Sequence, residues 1–376
     1  MSLSLQIDEL SEFYRTKTVL VTGHSGFKGA WLSQWLVGMG ANVIGLSNNT
    51  PTTPSLSQIL RLSESIRETW IDINDLPKVL SIVEKTKPDL VFHLAAQPIV
   101  LHSYNSPVET FKTNIAGTTN ILEALRQAGK RSAGVFITSD KCYENSNDGL
   151  PFTENHKLGG NDPYSASKAC AEIAISAYRA SFFPPDNPQT KVGIASARAG
   201  NVIGGGDWSD HRILPDCARC LSNGIPIPVR NPSSVRPWQH VLEPLYGYLL
   251  LGYQIYNSLC SAKDASLSKY TTAFNFGPPT DQQRDIQSLV EEVLKHWPGN
   301  WRDHSSRSAK PEADTLTLNS DKATTTLRWQ PSLSFQETVR YTVEWYRNFY
   351  ETKNDPAEFT RKQIRDYQEA IRAAQI

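Results

Sequence analysis

Apolar and polar positions alternate with two periods along the first half of the chain. "KTVLVTG" (17–23) is a β-branched run closed by glycine, "GAWLSQWLVGMG" (29–40) has helical spacing and stops at Gly40, and "ANVIGLS" (41–47) is a second strand-like run. The rhythm returns in "LPKVLSIVEKTKP" followed by "DLVFHLAA", and in "FKTNIAGTTNILEALRQAG" followed by "AGVFITSD". A further helical pattern, "PYSASKACAEIAISAYRASFF", leads into "TKVGIASARAGNVIGGG", read as the last central strand running into a glycine-rich loop. Strands alternating with helices predict an α/β domain whose parallel sheet is covered on both faces, here over residues 1–200. Beyond Gly204 the alternation fades. Pro and Trp cluster in "GIPIPVRNPSSVRPWQH", and helical patterns reappear in "DIQSLVEEVLKHW" and "SFQETVRYTVEWYRNFY". Residues 201–376 are therefore expected to form mainly a smaller C-terminal α/β lobe over a substrate, with some segments returning to the sheet domain. "SLCSAKDASLSKYTT" (258–272) reads as an exposed loop.

Composition narrows the partner. The 376 residues are 39% hydrophobic, and 38 Lys plus Arg balance 38 Asp plus Glu at a pI near 7.1. No overall field then favours nucleic acid or an anionic membrane, and a small molecule is the expected partner. The leading "MSLSLQIDELSEFYRTK" carries acids among its apolar positions, and no stretch of about 18 consecutive apolar residues occurs, so the expected location is cytoplasmic. Five cysteines, an odd number, do not suggest a disulfide framework. Cys217 and Cys220 form a C-x-x-C within a helical pattern and are expected to be part of a buried helix face, with no metal site.

In "VLVTGHSGFKGAWLSQWL", Gly23, Gly26 and Gly29 recur at three-residue intervals between a strand and a helix. Glycine permits a tight turn and a close approach to a diphosphate, and the helix start offers its positive end to the anion, so the segment predicts dinucleotide binding. The second strand ends "GLSNN", with neither an acid for NAD nor an arginine for NADP. Ser47 or Asn48 could bond a ribose hydroxyl, and the choice of cofactor stays open at this point. Lys28 reads equally as a phosphate neighbour or a solvated lysine at the helix start.

Tyr164 and Lys168 in "DPYSASKACAEI" stand four apart on one helix face. A phenol with a pKa of about 10 is a poor base, but a neighbouring ammonium and a positively charged nicotinamide would stabilise its phenolate. With Ser139 at a strand end, the pair suits removal of a hydroxyl proton as hydride leaves the same carbon.

"TGHSGFKG", "LAAQP", "TSDKCYE", "PYSASKA", "RAGNVIGGGDW" and "RPWQHVLEPL" together resemble the extended short-chain dehydrogenase/reductase family, and within it the nucleotide-sugar 4,6-dehydratases. The resemblance runs from about Thr18 to about Tyr350. It implies a Rossmann-type doubly wound sheet, tightly held NAD, a nucleotide-diphosphate sugar as substrate with CDP-glucose foremost, and a homodimer or homotetramer paired through sheet-domain helices. It implies a lyase that oxidises C4 of the sugar, eliminates water across C5 and C6, and returns hydride to C6. Ser139, Tyr164 and Lys168 serve the oxidation, while Asp140 protonates the leaving C6 hydroxyl and Lys141 removes the C5 proton. A lysine base must be neutral, which asks for a pKa lowered from about 10.4 toward about 7 to 8, a cost near 4 kcal/mol. The swapped roles, and a bland Asp140–Lys141 ion pair, are the alternatives at that position.

By the same resemblance, His24, Phe27, Lys28 and Arg198 join the glycines at the cofactor, Asp72 and Ile73 flank adenine, and Ala95, Ala96 and Gln97 lie beside the diphosphate and ribose. Asn114 is open between cofactor contact and a structural bond. Asn201, Leu214, Pro215, Arg230, Arg236, His240 and Asn275 fall in the substrate-covering segments; arginines suit a diphosphate because their donor fork binds its oxygens in pairs. His240 has no partner at metal-ligand spacing. Pro311 stands where the family usually has a histidine, which weakens any diphosphate contact there. A nucleotide-sugar 4-epimerase and a non-enzymatic dinucleotide sensor are the competing functions.

Overall fold

The computed structural model describes residues 7–145, 149–261, 266–279, 282–305 and 316–374. Seven strands, β1 (Thr18–Thr22), β2 (Asn42–Ser47), β3 (Arg67–Trp70), β4 (Leu90–His93), β5 (Ser132–Ile137), β6 (Val192–Ala199) and β7 (Ala273–Phe276), form one sheet in the order β7-β6-β5-β4-β1-β2-β3. Every pairing in it is parallel, with Thr22 opposite Leu46 on one side and His93 on the other. All residues of β5 and β6 are buried, as apolar runs covered on both faces should be. The order reverses at β1 and β4, and in such a sheet the crevice beyond those strand ends is where a ligand sits.

The larger helices are α1 (Ile7–Arg15), α2 (Phe27–Gly38), α3 (Leu76–Thr86), α4 (Gly117–Ala128), α5 (Pro163–Phe182), α6 (Ile213–Ser222), α7 (Leu242–Cys260), α8 (Ile286–His296), α9 (Phe335–Glu351) and α10 (Pro356–Ala374). Helix α2 is apolar all round because it is covered all round: Trp31 and Trp35 are buried, and Trp35 meets Tyr367 of α10 edge-on at 5.8 Å. Helix α7 packs on β5 and β6. Its Leu249 carbonyl accepts the Tyr14 hydroxyl of α1 at 2.8 Å.

Helix α7 thus covers the sheet and β7 extends its edge. The lobe over the cleft holds α6, α8 and three short strand pairs: 202–203 with 239–240, 235–236 with 284–285, and 227–229 with 301–303. Cys217 and Cys220 are buried on α6, and all five cysteines are free thiols. The expected loop over 258–272 is corrected. Ser258 to Cys260 end α7, and Leu267–Tyr270 is a short helix, because Leu259 and Leu267 bury against the core; residues 262–265 lie outside the described part. No helix among the described residues is long and apolar enough to cross a membrane.

Candidate active site

The glycine turn is built by close approach. Gly23 leaves β1 at φ +74°, and a Cβ there would stand 2.8 Å from the Ala95 backbone nitrogen; a Cβ on Gly29 would stand 2.0 Å from the Gly23 carbonyl oxygen. No side chain caps α2 at Gly26, so the amides of its first turn stay available, and Phe27, Lys28 and Gly29 face a cleft of about 1600 Å³. That volume exceeds the roughly 300–1000 Å³ of a single-ligand pocket and suits a dinucleotide together with a nucleotide sugar. Ser47 and Asn48, Asp72 and Ile73, and Ala95 and Ala96 line it. So do Asn201, Leu214, Pro215, Arg230 and Arg236.

The turn after β5 lines the same cleft. Ser139 caps the short helix Asp140–Cys142 by accepting the Lys141 amide at 3.2 Å, and its hydroxyl donates to Asp140 Oδ1 at 3.0 Å. Asp140 is buried, and its Oδ2 has no hydrogen-bond partner among the described residues. That oxygen occupies space left by Gly200, where a Cβ would fall 1.8 Å from it. The Lys141 side chain lines the cleft and forms no ion pair with Asp140, so the bland reading of the two as a salt bridge fails.

Tyr164 and Lys168 project from the first turns of α5, which Asp162 caps by accepting the Ser165 amide at 2.9 Å. Burial pushes the Tyr164 phenol up to about 12, with the Ser139 hydrogen bond and the Arg212 guanidinium pulling it down and Asp140 and Asp162 pushing it up. Arg212 is thus a cation acting on the phenol from outside the Tyr164–Lys168 pair. Burial lowers Lys168 to about 8 against the pull of Cys142 and Glu172. Lys28 is partly buried on the cleft wall, and burial, Arg212 and Lys168 bring it down to about 7, with Asp140 and Asp207 opposing.

Six expected site residues turn their side chains into the protein instead. His24 bonds Glu68 at 3.1 Å and Ser47 Oγ at 3.0 Å, in space left by Gly45, and so buttresses Ser47 from beneath. Asn114 accepts the Gln97 amide at 2.8 Å and donates to Ser167 Oγ at 2.8 Å, while the Gln97 side chain donates to Thr110; together they fasten the loop after β4 to α5. Arg198 pairs with Glu172 at 2.7 Å inside the sheet domain. His240 is fully buried against Trp31 and Tyr341, and burial holds it neutral, at about 3. Asn275 accepts the Tyr143 hydroxyl at 2.7 Å and donates to the Phe152 carbonyl at 2.8 Å. The resemblance to a family gives the position of each along the chain, which does not say which way a side chain faces, and for Asn114 the structural bond is the one formed. Pro311 lies outside the described residues.

Residues 20–342 match the family model of GDP-mannose 4,6 dehydratase. The chain belongs to this dehydratase family. A CDP-glucose 4,6-dehydratase from Salmonella typhimurium is 42% identical over 361 residues, covering 95% of this chain and 98% of the relative. The fold is shared with a UDP-glucose 4-epimerase from Thermotoga maritima solved with UDP-glucose (TM-score 0.76, 21% identity, covering 89% of this chain and 100% of the other). It is shared as well with a dTDP-glucose 4,6-dehydratase from Bacillus anthracis solved with NAD (TM-score 0.70, 18% identity, 89% and 97% covered).

The dehydratase cleft also contains groups not expected from the sequence. Arg212 lies on the wall and pairs with the buried Asp207 at 2.7 Å, and Thr138 and Tyr143 bracket the Ser139 turn. Asp207 falls within the quoted "GGGDW", and Arg212 directly precedes α6, next to the expected Leu214 and Pro215. A charged residue at that boundary was the available signal.

Proposed function

We propose that this chain converts CDP-glucose to CDP-4-dehydro-6-deoxy-glucose and water, using NAD that is regenerated in each turnover. The observation carrying this reading is the Ser139-Asp140-Lys141 turn, which faces Tyr164 and Lys168 in the same cleft as an uncapped glycine turn. The 42% identical relative supports cytidine as the base and glucose as the sugar.

The cradle fits a dinucleotide. The tight Gly23–Gly29 packing and the open amides of α2 suit a diphosphate, Ser47 and Asn48 suit the adenosine ribose, and Asp72 and Ile73 suit adenine. When bound, NAD supplies a hydride acceptor for C4 and later a hydride donor for C6. Tyr164 takes the C4 hydroxyl proton, with Ser139 shared between the phenol and the sugar oxygen, and Arg212 and Lys168 stabilise the phenolate. With C4 a ketone, the C5 proton is acidic. Lys141 removes it, and the electron pair left on C5 forms the C5–C6 double bond as the C6–O bond breaks. Asp140 gives that oxygen a proton, so it leaves as water, and C5 is reprotonated once hydride has reached C6.

Incubation with CDP-glucose and NAD is expected to give a sugar nucleotide lighter by one water in mass spectrometry, with dTDP-, UDP- and GDP-glucose as parallel tests of the base. A product of unchanged mass would favour a 4-epimerase and sink this reading. Turnover should also depend on the Lys168 ammonium. That group is protonated below about pH 8 and loses its charge as pH rises through this value. A kcat profile from about pH 6 to about pH 10 should fall with one-proton slope on its alkaline side; a plateau through pH 10 would remove Lys168 from the oxidation step.

A further inference from the structure

Four residues beyond Lys168 and eight beyond Tyr164, on the same face of α5, lies Glu172, which is 3% exposed. Its Oε1 accepts the Thr138 hydroxyl at 2.5 Å, and its Oε2 accepts the Ser196 hydroxyl and Arg198 Nη2, each at 2.7 Å. Burial opposes ionisation of Glu172, but Arg198 and the two hydroxyls outweigh it and hold its pKa below the usual value. The other arm of Arg198, Nη1, donates to the Tyr143 hydroxyl at 2.7 Å, and its guanidinium lies 4.9 Å over the Tyr143 ring. Tyr143 in turn donates to Asn275 of β7.

Thr138 immediately precedes Ser139, and Tyr143 immediately follows the Asp140–Cys142 helix. The two ends of the turn that carries Ser139, Asp140 and Lys141 therefore converge on one carboxylate–guanidinium pair beneath it. Such a pair is weak evidence for stability, because replacing a buried ion pair with apolar groups is often neutral or better. What it supplies is direction: five fixed hydrogen bonds that tie α5, β6 and β7 to the two ends of the turn after β5, below the site.

We propose that the Glu172–Arg198 pair is a positioning clamp that sets the Ser139–Lys141 turn against Tyr164 and Lys168. Neither member lines the cleft, so both act through Thr138 and Tyr143, which do. The inference rests on the reading of Asp140 and Lys141 as proton-transfer groups.

The test uses Thr138→Val, which keeps the shape and deletes the hydroxyl, beside Thr138→Ser, which restores it. Thr138→Val should lower kcat about 10- to 100-fold with KM for CDP-glucose within about twofold, the result of a misplaced rather than an absent catalytic group. Thr138→Ser should recover kcat to within about threefold of wild type. Unchanged kcat in the valine variant, a serine variant no better than the valine one, or a loss confined to KM would each overturn the clamp. If Thr138→Val does not fold, Tyr143→Phe loosens the other end, and the same split between kcat and KM is required of it. Wild-type turnover of CDP-glucose tests the underlying reading separately. Were it absent, the dehydratase reading would fall, and the same variants would test the clamp through C4 oxidation of whichever nucleotide sugar reduces the cofactor.

Discussion

Tyr164→Phe is expected to lower kcat by at least about 1000-fold, toward the upper end of what a single positioned acid–base group contributes. The substitution removes one oxygen and keeps the ring, and Tyr164 is 8% exposed against the first turn of α5, so its volume stays filled and the melting temperature should hold. No neighbour can take its place. Ser139 is already engaged with Asp140, and Lys168 sits one turn further along the helix with its own charge to keep. Because the phenol acts before any other bond to the sugar breaks, the variant should show neither product nor absorbance of reduced cofactor in a single-turnover experiment with CDP-glucose and NAD. Turnover within tenfold of wild type would remove Tyr164 from the base role. Substrate affinity, read by calorimetry, should change little, since the phenol serves the reaction more than the binding.

How much of this was legible beforehand follows from the distances involved. The parallel sheet declared itself because strands covered on both faces are continuous apolar runs, and β1, β2, β4, β5 and β6 all read that way. The glycine turn and the Tyr164–Lys168 pair are local spacings, so sequence order already carries their geometry. Strand β7 escaped because it lies over seventy residues beyond β6, after the alternation has faded, and the two-residue strands of the lobe are too short to show any period. The spacing of α2 showed a helix, but nothing in it named α10 as its cover. At the site, Gly200 makes room for Asp140 Oδ2 across sixty residues of chain, and Arg212 acts on Tyr164 from a separate lobe. His24, Asn114 and Arg198 show the converse. A side chain beside a motif can face the protein, and Gly45, Gln97 and Glu172, the partners that decide it, are set by the fold.

Lys141→Ala is expected to separate the two halves of the reaction. Lys141 makes no ion pair with Asp140 and lies on the cleft wall, so its removal breaks no buried pair, and the variant should fold and melt as wild type does. Ser139 and Tyr164 remain, so C4 should still be oxidised and reduced cofactor should accumulate. Loss of the C5 base should slow water release by about 100- to 10,000-fold. Solvent deuterium at C5, followed by mass spectrometry or proton NMR, then assigns the roles. If Lys141 is the base, exchange at C5 stops together with elimination. If Asp140 is the base, its unpartnered Oδ2 is still present, so exchange continues at the wild-type rate while water loss fails for want of an acid. Either outcome differs from that of Tyr164→Phe, which halts before the cofactor is reduced, whereas Lys141→Ala halts after. A lysine variant that released product at the wild-type rate would remove Lys141 from the elimination and leave both proton transfers to Asp140 and other groups of the cleft.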